Sequence, residues 1–255
     1  MPTLLIELAG PQQAWGSRSR FATRATELAP TKSGVIGVIA AALGLERTAP
    51  LDRFRGVRFG VRIDQPGRVE QDFQTTRSLD GVRPFPLSHR YYLADAVFIA
   101  GVEVERTELE SYQAALRHPY FPLYLGRRAF PPAGPLWTEL SESSLEDALA
   151  GVPWRARAHH RRRIRETRVR LEVIVDAAPG ASTGETRHDV PESFDPRRRQ
   201  YGTRDVSIHH VDVAHPEPPD AASASNPRPA PRTTSSLLGS PTDHDPEILL
   251  SDEEV

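Results

Sequence analysis

Tyr124-Leu125-Gly126-Arg127-Arg128 is the densest short arrangement in this chain of residue types that grip a polyanion. A guanidinium forks onto a phosphate or a guanine edge, a glycine lets a backbone come close to a ligand, and a tyrosine ring gives a base a plane to stack on. The aromatic residues at 120, 121 and 124 are expected to pack inward, so direct contact falls to Arg127 and Arg128 and only support to Tyr124. An arginine pair alone also reads as solvated surface. Near the start of the chain, Gln12-Gln13-Ala14-Trp15 lies between Gly10 and Gly16, with an exposed-looking tryptophan, and Arg18, Arg20 and Arg24 follow. Then comes Pro30-Thr31-Lys32-Ser33-Gly34 at a helix start. Free backbone N–H groups, the lysine, the serine hydroxyl and the glycine there can hold an anion. The glycine spacing of a Walker A loop is absent, and the same residues also read as an ordinary capped core helix.

Between residues 77 and 92, Arg77, Arg83 and Arg90 alternate with Phe85, Tyr91 and Tyr92. Such a mixture suits splayed single-stranded RNA, or else a solvated loop with a few hydrophobic anchors. Residues 155 to 170 hold eight arginines with His159 and His160 against one acid, Glu166. That density is the usual footprint of a nucleic-acid surface, and a flexible basic linker would look the same.

Catalysis finds little support. The adjacent histidines at 159/160 and 209/210 would point to opposite faces of an extended chain, so neither pair chelates a metal well. No HExxH, paired-aspartate or GxSxG pattern occurs. A metal-independent ribonuclease needs a base and an acid around the 2′-OH, for which only His118 with Tyr120, or His89 with Tyr91, are neighbours. No catalytic residue, metal or cofactor is therefore expected.

The elements that must carry these residues follow from composition and period. The 255 residues, 38% hydrophobic and 26% charged, suit one domain of roughly 200 residues with a polar extension, or two small domains. No apolar run reaches the roughly 18 residues of a membrane span, and Leu4-Leu5-Ile6 has no basic segment before it, which points to a soluble cytoplasmic protein. There are no cysteines, which removes disulfides, thiolate metal sites and thiol nucleophiles. The net charge of −2 hides an asymmetry, with 30 basic residues against 26 acidic before residue 215. Only Lys32 among the basic residues is lysine, a bias that serves phosphate binding and that GC-rich codons would also give.

Residues 2–8 read as a buried strand, 9–30 as a long loop, and Thr31 as the cap of a helix ending at Gly44. Residues 57–64 alternate as a half-exposed strand closed by Pro66-Gly67, with Arg58 and Arg62 outward. Residues 68–90 show no firm period, 91–104 read as one strand, and 107–118 as a helix capped by Thr107. A short helix at 145–150 and strands at 168–175 and 205–213 follow, and beyond His215 the Pro, Ser, Ala and acidic composition predicts disorder. Strand, helix, strand, strand, helix is most of a ferredoxin-like βαββαβ unit.

The runs LAGPQQAWG, PTKSGVIGVIAAALGL, YYLADAVF and PYFPLYLGRRAFP, in this order and separation, resemble the CasD family of CRISPR-associated RAMP proteins across about residues 2–214. The resemblance implies an α+β RAMP fold: a modified ferredoxin-like domain at 1–136 with a β-hairpin thumb at about 68–95, and a small strand-rich part at 137–214 holding the basic segment. An acidic tail at 215–255 has no counterpart in the family. It further implies a non-catalytic subunit of a type I-E Cascade complex that holds the 5′ handle of the guide RNA (crRNA). Its partners would be that handle, a backbone subunit, the large subunit and, through the complex, target DNA, with no membrane. The RNA-binding residues would be Gln13, Trp15, Arg18, Arg20, Arg24, Lys32, Ser33, Arg77, Arg90, Tyr91, Tyr124, Gly126, Arg127 and Arg128. The alternatives are an RNA-processing endoribonuclease of the type I-C kind and a general single-strand RNA-binding module.

Overall fold

Helix formation starts where the sequence places it. The Thr31 hydroxyl accepts from the Gly34 N–H (3.2 Å), and the helix runs over Lys32–Ala42 until Gly44, whose φ of 76° is left-handed. The computed structural model describes residues 1–16, 23–178 and 185–216. In chain order its elements are β1 (Thr3–Ala9), β2 (Gln12–Gln13), β3 (Thr23–Arg24), α1 (Lys32–Ala42), β4 (Arg58–Gln65), β5 (Arg68–Gln74), β6 (Ser88–Ala94) and β7 (Val97–Glu103). Then come α2 (Arg106–Arg117), β8 (Thr138–Ser141), α3 (Leu145–Gly151), α4 (Ala158–Arg161), β9 (Arg168–Asp176), β10 (Glu185–Ser193) and β11 (Gln200–Ala214). The fold is mixed α+β and rich in strands.

Seven strands form one sheet in the order β10-β11-β9-β4-β7-β1-β8, each neighbour antiparallel. Strand alternation divides β1 between two cores. Leu4, Ile6 and Leu8 meet Val35, Ile36 and Ile39 of α1 and Leu109, Tyr112 and Leu116 of α2, whereas Leu5 meets Ile99, Leu145 and Leu149 beneath α3. Helices thus cover both faces of the sheet centre. Strands from residues 138 to 214 join the same sheet as those from 1 to 103, through β8 on β1 and β9 on β4.

Several expectations are corrected. The strand at 57–64 is not half exposed. Arg62 is fully buried, because α3 lies over that face, and its guanidinium bonds both Asp64 carboxylate oxygens (2.7 and 2.9 Å) and the carbonyls of Leu149 and Val152 (both 2.6 Å). Residues 91–104 are two strands in different sheets, broken at Asp95, whose φ of 58° turns the chain. The stretch 68–90 contains β5 and the start of β6, and 9–30 contains β2 and β3. Glu105, not Thr107, precedes α2, and no side chain caps it. Among the described residues no helix is long and apolar enough to cross a membrane. The tail expected to be disordered lies, from residue 217 on, outside the described residues.

Candidate nucleic-acid interface

A second, four-stranded sheet carries the arginines of interest. Its central strand β6 pairs antiparallel with β5 and β2 and parallel with β3. Arg24 lies opposite Arg90, and Asp72 opposite Arg90 on the other side. Alternation along β6 sends Leu93 and Tyr91 to one face and Arg90 and Tyr92 to the other. Leu93 is buried in the main core and so fastens the β5–β6 hairpin to the body.

The loop after α2 completes the surface. Leu125 is buried, its N–H donates to the Phe130 carbonyl (2.8 Å), and its own carbonyl accepts from Ala14 N–H (3.1 Å). Gly126 has φ 89°, and a Cβ there would fall 1.6 Å from the Ala14 carbonyl oxygen, so only glycine fits. Its close approach is to the chain itself, not to a ligand as expected. This turn delivers Arg127, whose guanidinium donates to the carbonyls of Tyr91 (2.8 Å) and Arg24 (3.1 Å) and lies 5.6 Å from the Phe130 ring centre. Burial lowers the Arg127 pKa, the nearby Arg90 and Arg24 charges lower it further, and only Asp72 offsets them. Neither Arg24 nor Arg90 forms an ion pair among the described residues. Three cations thus converge with one carboxylate nearby, an arrangement that an added anion relieves.

The structure brings Arg24, Arg90 and Arg127 together and separates the rest. Arg128 is exposed next to Arg127 with no side-chain partner among the described residues, and Tyr124 is half-buried. Tyr91 lies on the opposite face from Arg90, contributing only its carbonyl to Arg127. Arg77 is exposed further out on the hairpin, with one long contact to the Gly81 carbonyl (3.5 Å). Arg18 and Arg20 lie outside the described residues.

Four expected contacts are corrected. Trp15 is buried against Gly34 and its indole N–H donates to the Gln13 side chain (3.1 Å). Gln13, fully buried, donates to the carbonyls of Leu8 (3.1 Å) and Ala96 (2.9 Å). Lys32 is spent on the Val57 carbonyl (2.6 Å) and Asp176 (2.9 Å), and buried Ser33 contacts the Thr31 hydroxyl (3.4 Å). The anion at the start of α1 is the protein's own, since the Lys32 N–H donates to the Asp189 carboxylate (2.8 Å). That partner lies 157 positions away, beyond any local pattern. Sequence reasoning passed over Phe130 and named Tyr92 as a stacking candidate without placing it in the RNA-binding set; their rings pack at 5.5 Å with the Tyr92 hydroxyl on Glu70 (3.1 Å). Both residues stood within the quoted motifs, and period-two alternation was the available signal for Tyr92.

As for acid and base candidates, His89 engages Gln71 (2.8 Å) while His118 caps the far end of α2. No cluster of His, Cys, Asp and Glu able to hold a metal occurs among the described residues.

Fold and surface together define a strand-rich α+β protein with an arginine cluster carried on a small accessory sheet. The chain belongs to the family described as CRISPR-associated protein (Cas_Cas5), matching it over residues 3–207. It is 32% identical over 168 residues to the CRISPR system Cascade subunit CasD of Escherichia coli (strain K12), covering 55% of this chain and 72% of CasD. It also resembles a chain of a CRISPR RNA-guided surveillance complex, with TM-score 0.67 and 33% identity over 83% of this chain and 91% of that one. A crystal structure of a Cas protein is similar as well, with TM-score 0.65 and 35% identity over 84% of this chain and 98% of that one.

Proposed function

We propose that this chain is a non-catalytic, cytoplasmic subunit of a type I-E Cascade complex, holding the 5′ handle of the guide RNA and capping one end of the guide filament. The order β8-β1-β7-β4, with α1 and α2 on one face, is read as the ferredoxin-like RAMP unit, and the β5–β6 hairpin as the thumb. Backbone and large subunits are the protein partners, and target DNA is reached through the complex. The observation that carries this reading is the convergence of Arg24, Arg90 and Arg127 in a chain of this family. Arg127 is already oriented by two carbonyls, so little side-chain entropy is lost when a phosphate arrives. Phosphates of a bent handle would take the free N–H groups of the three guanidiniums, with Arg128 adding charge and Tyr124 framing the loop.

Equilibrium binding of labelled repeat-derived RNA to the full-length chain tests this. Arg24→Ala together with Arg90→Ala is expected to weaken binding by roughly tenfold or more near physiological salt and to flatten the salt slope by about two contacts. Unchanged affinity and slope would remove the cluster from the handle site. Unique cleavage of the same RNA, lost in His118→Ala or His89→Ala, would replace the non-catalytic reading with the endoribonuclease one.

A further inference from the structure

The main sheet opens between β4 and β9. The two strands pair only where Gly60–Arg62 meets Val173–Val175, although β4 continues to Gln65 and β9 begins at Arg168. Where they part lies a groove of about 310 Å³, lined by Ile63, Pro66, Trp154, Arg170, Glu172 and His210 among others. Its volume stands at the lower end of the range of ligand pockets, about 300–1,000 Å³. One wall is a fixed aromatic, because the Trp154 indole N–H donates to the Asp64 carbonyl (2.9 Å) and the ring is flanked edge-on by His160 and His215. Glu172 and His210, which also line the groove, are register partners on adjacent strands. Neither they nor Arg170 has a side-chain partner among the described residues.

The rim is basic. His160 lines the groove and its carbonyl accepts from the Arg163 N–H (3.0 Å), which holds the turn carrying Arg162, Arg163 and Arg165 beside it. These three are exposed and their side chains have no partner among the described residues. Other arginines of the same stretch are committed internally: Arg155 to Glu7 (2.8 Å) and over the Trp137 ring (4.3 Å), and Arg168 to the Asp212 carbonyl (2.6 Å). The stretch is therefore not uniformly a solvated run. Its unpartnered guanidiniums follow His160, which lines the groove, by two to five positions.

We propose that this groove receives one unpaired nucleotide of a single-stranded nucleic acid, with Arg162, Arg163, Arg165 and Arg170 taking the flanking phosphates. Glu172 accepts from an exocyclic amine on the base edge and His210 supplies a second hydrogen bond, while Ile63 and Pro66 present apolar surface to the ring and the buried Trp154 backs the floor. An acidic peptide would satisfy the rim but would meet the Glu172 carboxylate inside. The site uses none of the residues of the Arg24, Arg90 and Arg127 cluster and does not depend on the handle reading.

Photo-crosslinking of the full-length chain distinguishes the two sites, using labelled ten-nucleotide oligomers carrying 4-thiouridine or 4-thiothymidine. Crosslinks are expected within residues 154–172. The triple change Arg162→Ala, Arg163→Ala, Arg170→Ala should abolish them and weaken oligomer binding by roughly tenfold at low salt, with an unchanged thermal midpoint. Arg24→Ala with Arg90→Ala should leave these crosslinks in place. Preference for the ribose or deoxyribose oligomer identifies the source of the strand, and capture of either upholds the site. Absence of crosslinks from 154–172, their persistence in the triple variant, or equal binding of a base-free sugar-phosphate oligomer would overturn the proposal.

Discussion

Arg204 and Arg127 are the same residue type in opposite settings. Arg204 donates to both oxygens of Asp189 (2.6 and 3.0 Å) and to Asp176 (2.6 Å), and lies 5.1 Å from the centre of the Phe59 ring. Burial alone would lower its pKa, but Asp189 and then Asp176 outweigh burial and raise it. Arg127 has carbonyls for partners and two arginines for neighbours, and its pKa is lowered. The folded protein therefore favours the charge on Arg204 and disfavours that on Arg127. The first cation completes the structure, joining β11 to β9, β10 and, through Lys32 and Asp189, to the start of α1. The second has only carbonyls, and no carboxylate, for hydrogen-bond partners among the described residues.

Replacing each arginine is the direct way to break this contrast, and Arg204→Ala should have the largest effect. It leaves the buried Asp189 and the half-buried Asp176 with their main cation gone, a loss of about 3–5 kcal/mol for a buried pair broken on one side. Urea denaturation of the full chain would read it as a drop in midpoint at constant m-value. A loss below about 1 kcal/mol would mean that Lys32 alone neutralises the network.

Arg127→Ala should cost much less. Its two hydrogen bonds to carbonyls tie the loop to β6 and β3, but desolvation first and then the Arg90 and Arg24 charges disfavour the guanidinium's charge where it sits, so removing the side chain relieves those costs along with losing the bonds. A net stability change under about 1 kcal/mol is expected from the same urea experiment. Handle affinity should fall nonetheless. Instability as large as that of Arg204→Ala would show Arg127 to be a clamp between β3, β6 and its loop instead of a ligand site.

The contrast also marks what a linear sequence discloses. Helix α1, β1 and the helix after Leu145 were legible because burial on a fixed period repeats within one element, and Thr31 and Gly44 are local cap signals. Arg127 and Arg128 stood out because their glycine neighbour is local too. The fates of Arg62, Lys32, Trp15 and Gln13 were not legible, since each is decided by a partner from another element: α3 over Arg62, Asp176 at Lys32, Gly34 under Trp15 and the Ala96 carbonyl at Gln13. An arginine on an alternating strand reads as outward until a distant helix covers it. β5 escaped the periodicity reading for a related reason, as six of its seven residues are exposed and leave no hydrophobic period to find, and only the resemblance implied a hairpin over about 68–95.

The smallest perturbation of the contrast is a charge that pH can switch on. His160 packs edge-on against Trp154, and its pKa is lowered by burial first, then by the His159 and Arg163 charges, with Asp95 acting in the opposite sense. Asp95 is itself bound to His159 (2.7 Å), so its pull on His160 is shared. A folded-state pKa below the unfolded value means that the unfolded chain binds more protons in the window between the two, so stability rises with pH there. The neutral ring carries no penalty above the unfolded pKa of about 6.5, and the penalty accumulates as pH falls from there through the folded value. Lowering the pH from about 7.5 to 5.5 should therefore reduce the urea midpoint of the full chain. His160 is one contributor of several, and because its ring is only part-buried, solvent screening holds its share below about 1 kcal/mol. The distinguishing readout is the difference between proteins: His160→Gln keeps a polar side chain at the position but cannot titrate, and should show a shallower midpoint-against-pH curve than the parent. Parallel curves would assign the acid sensitivity elsewhere and leave His160 indifferent to its charge.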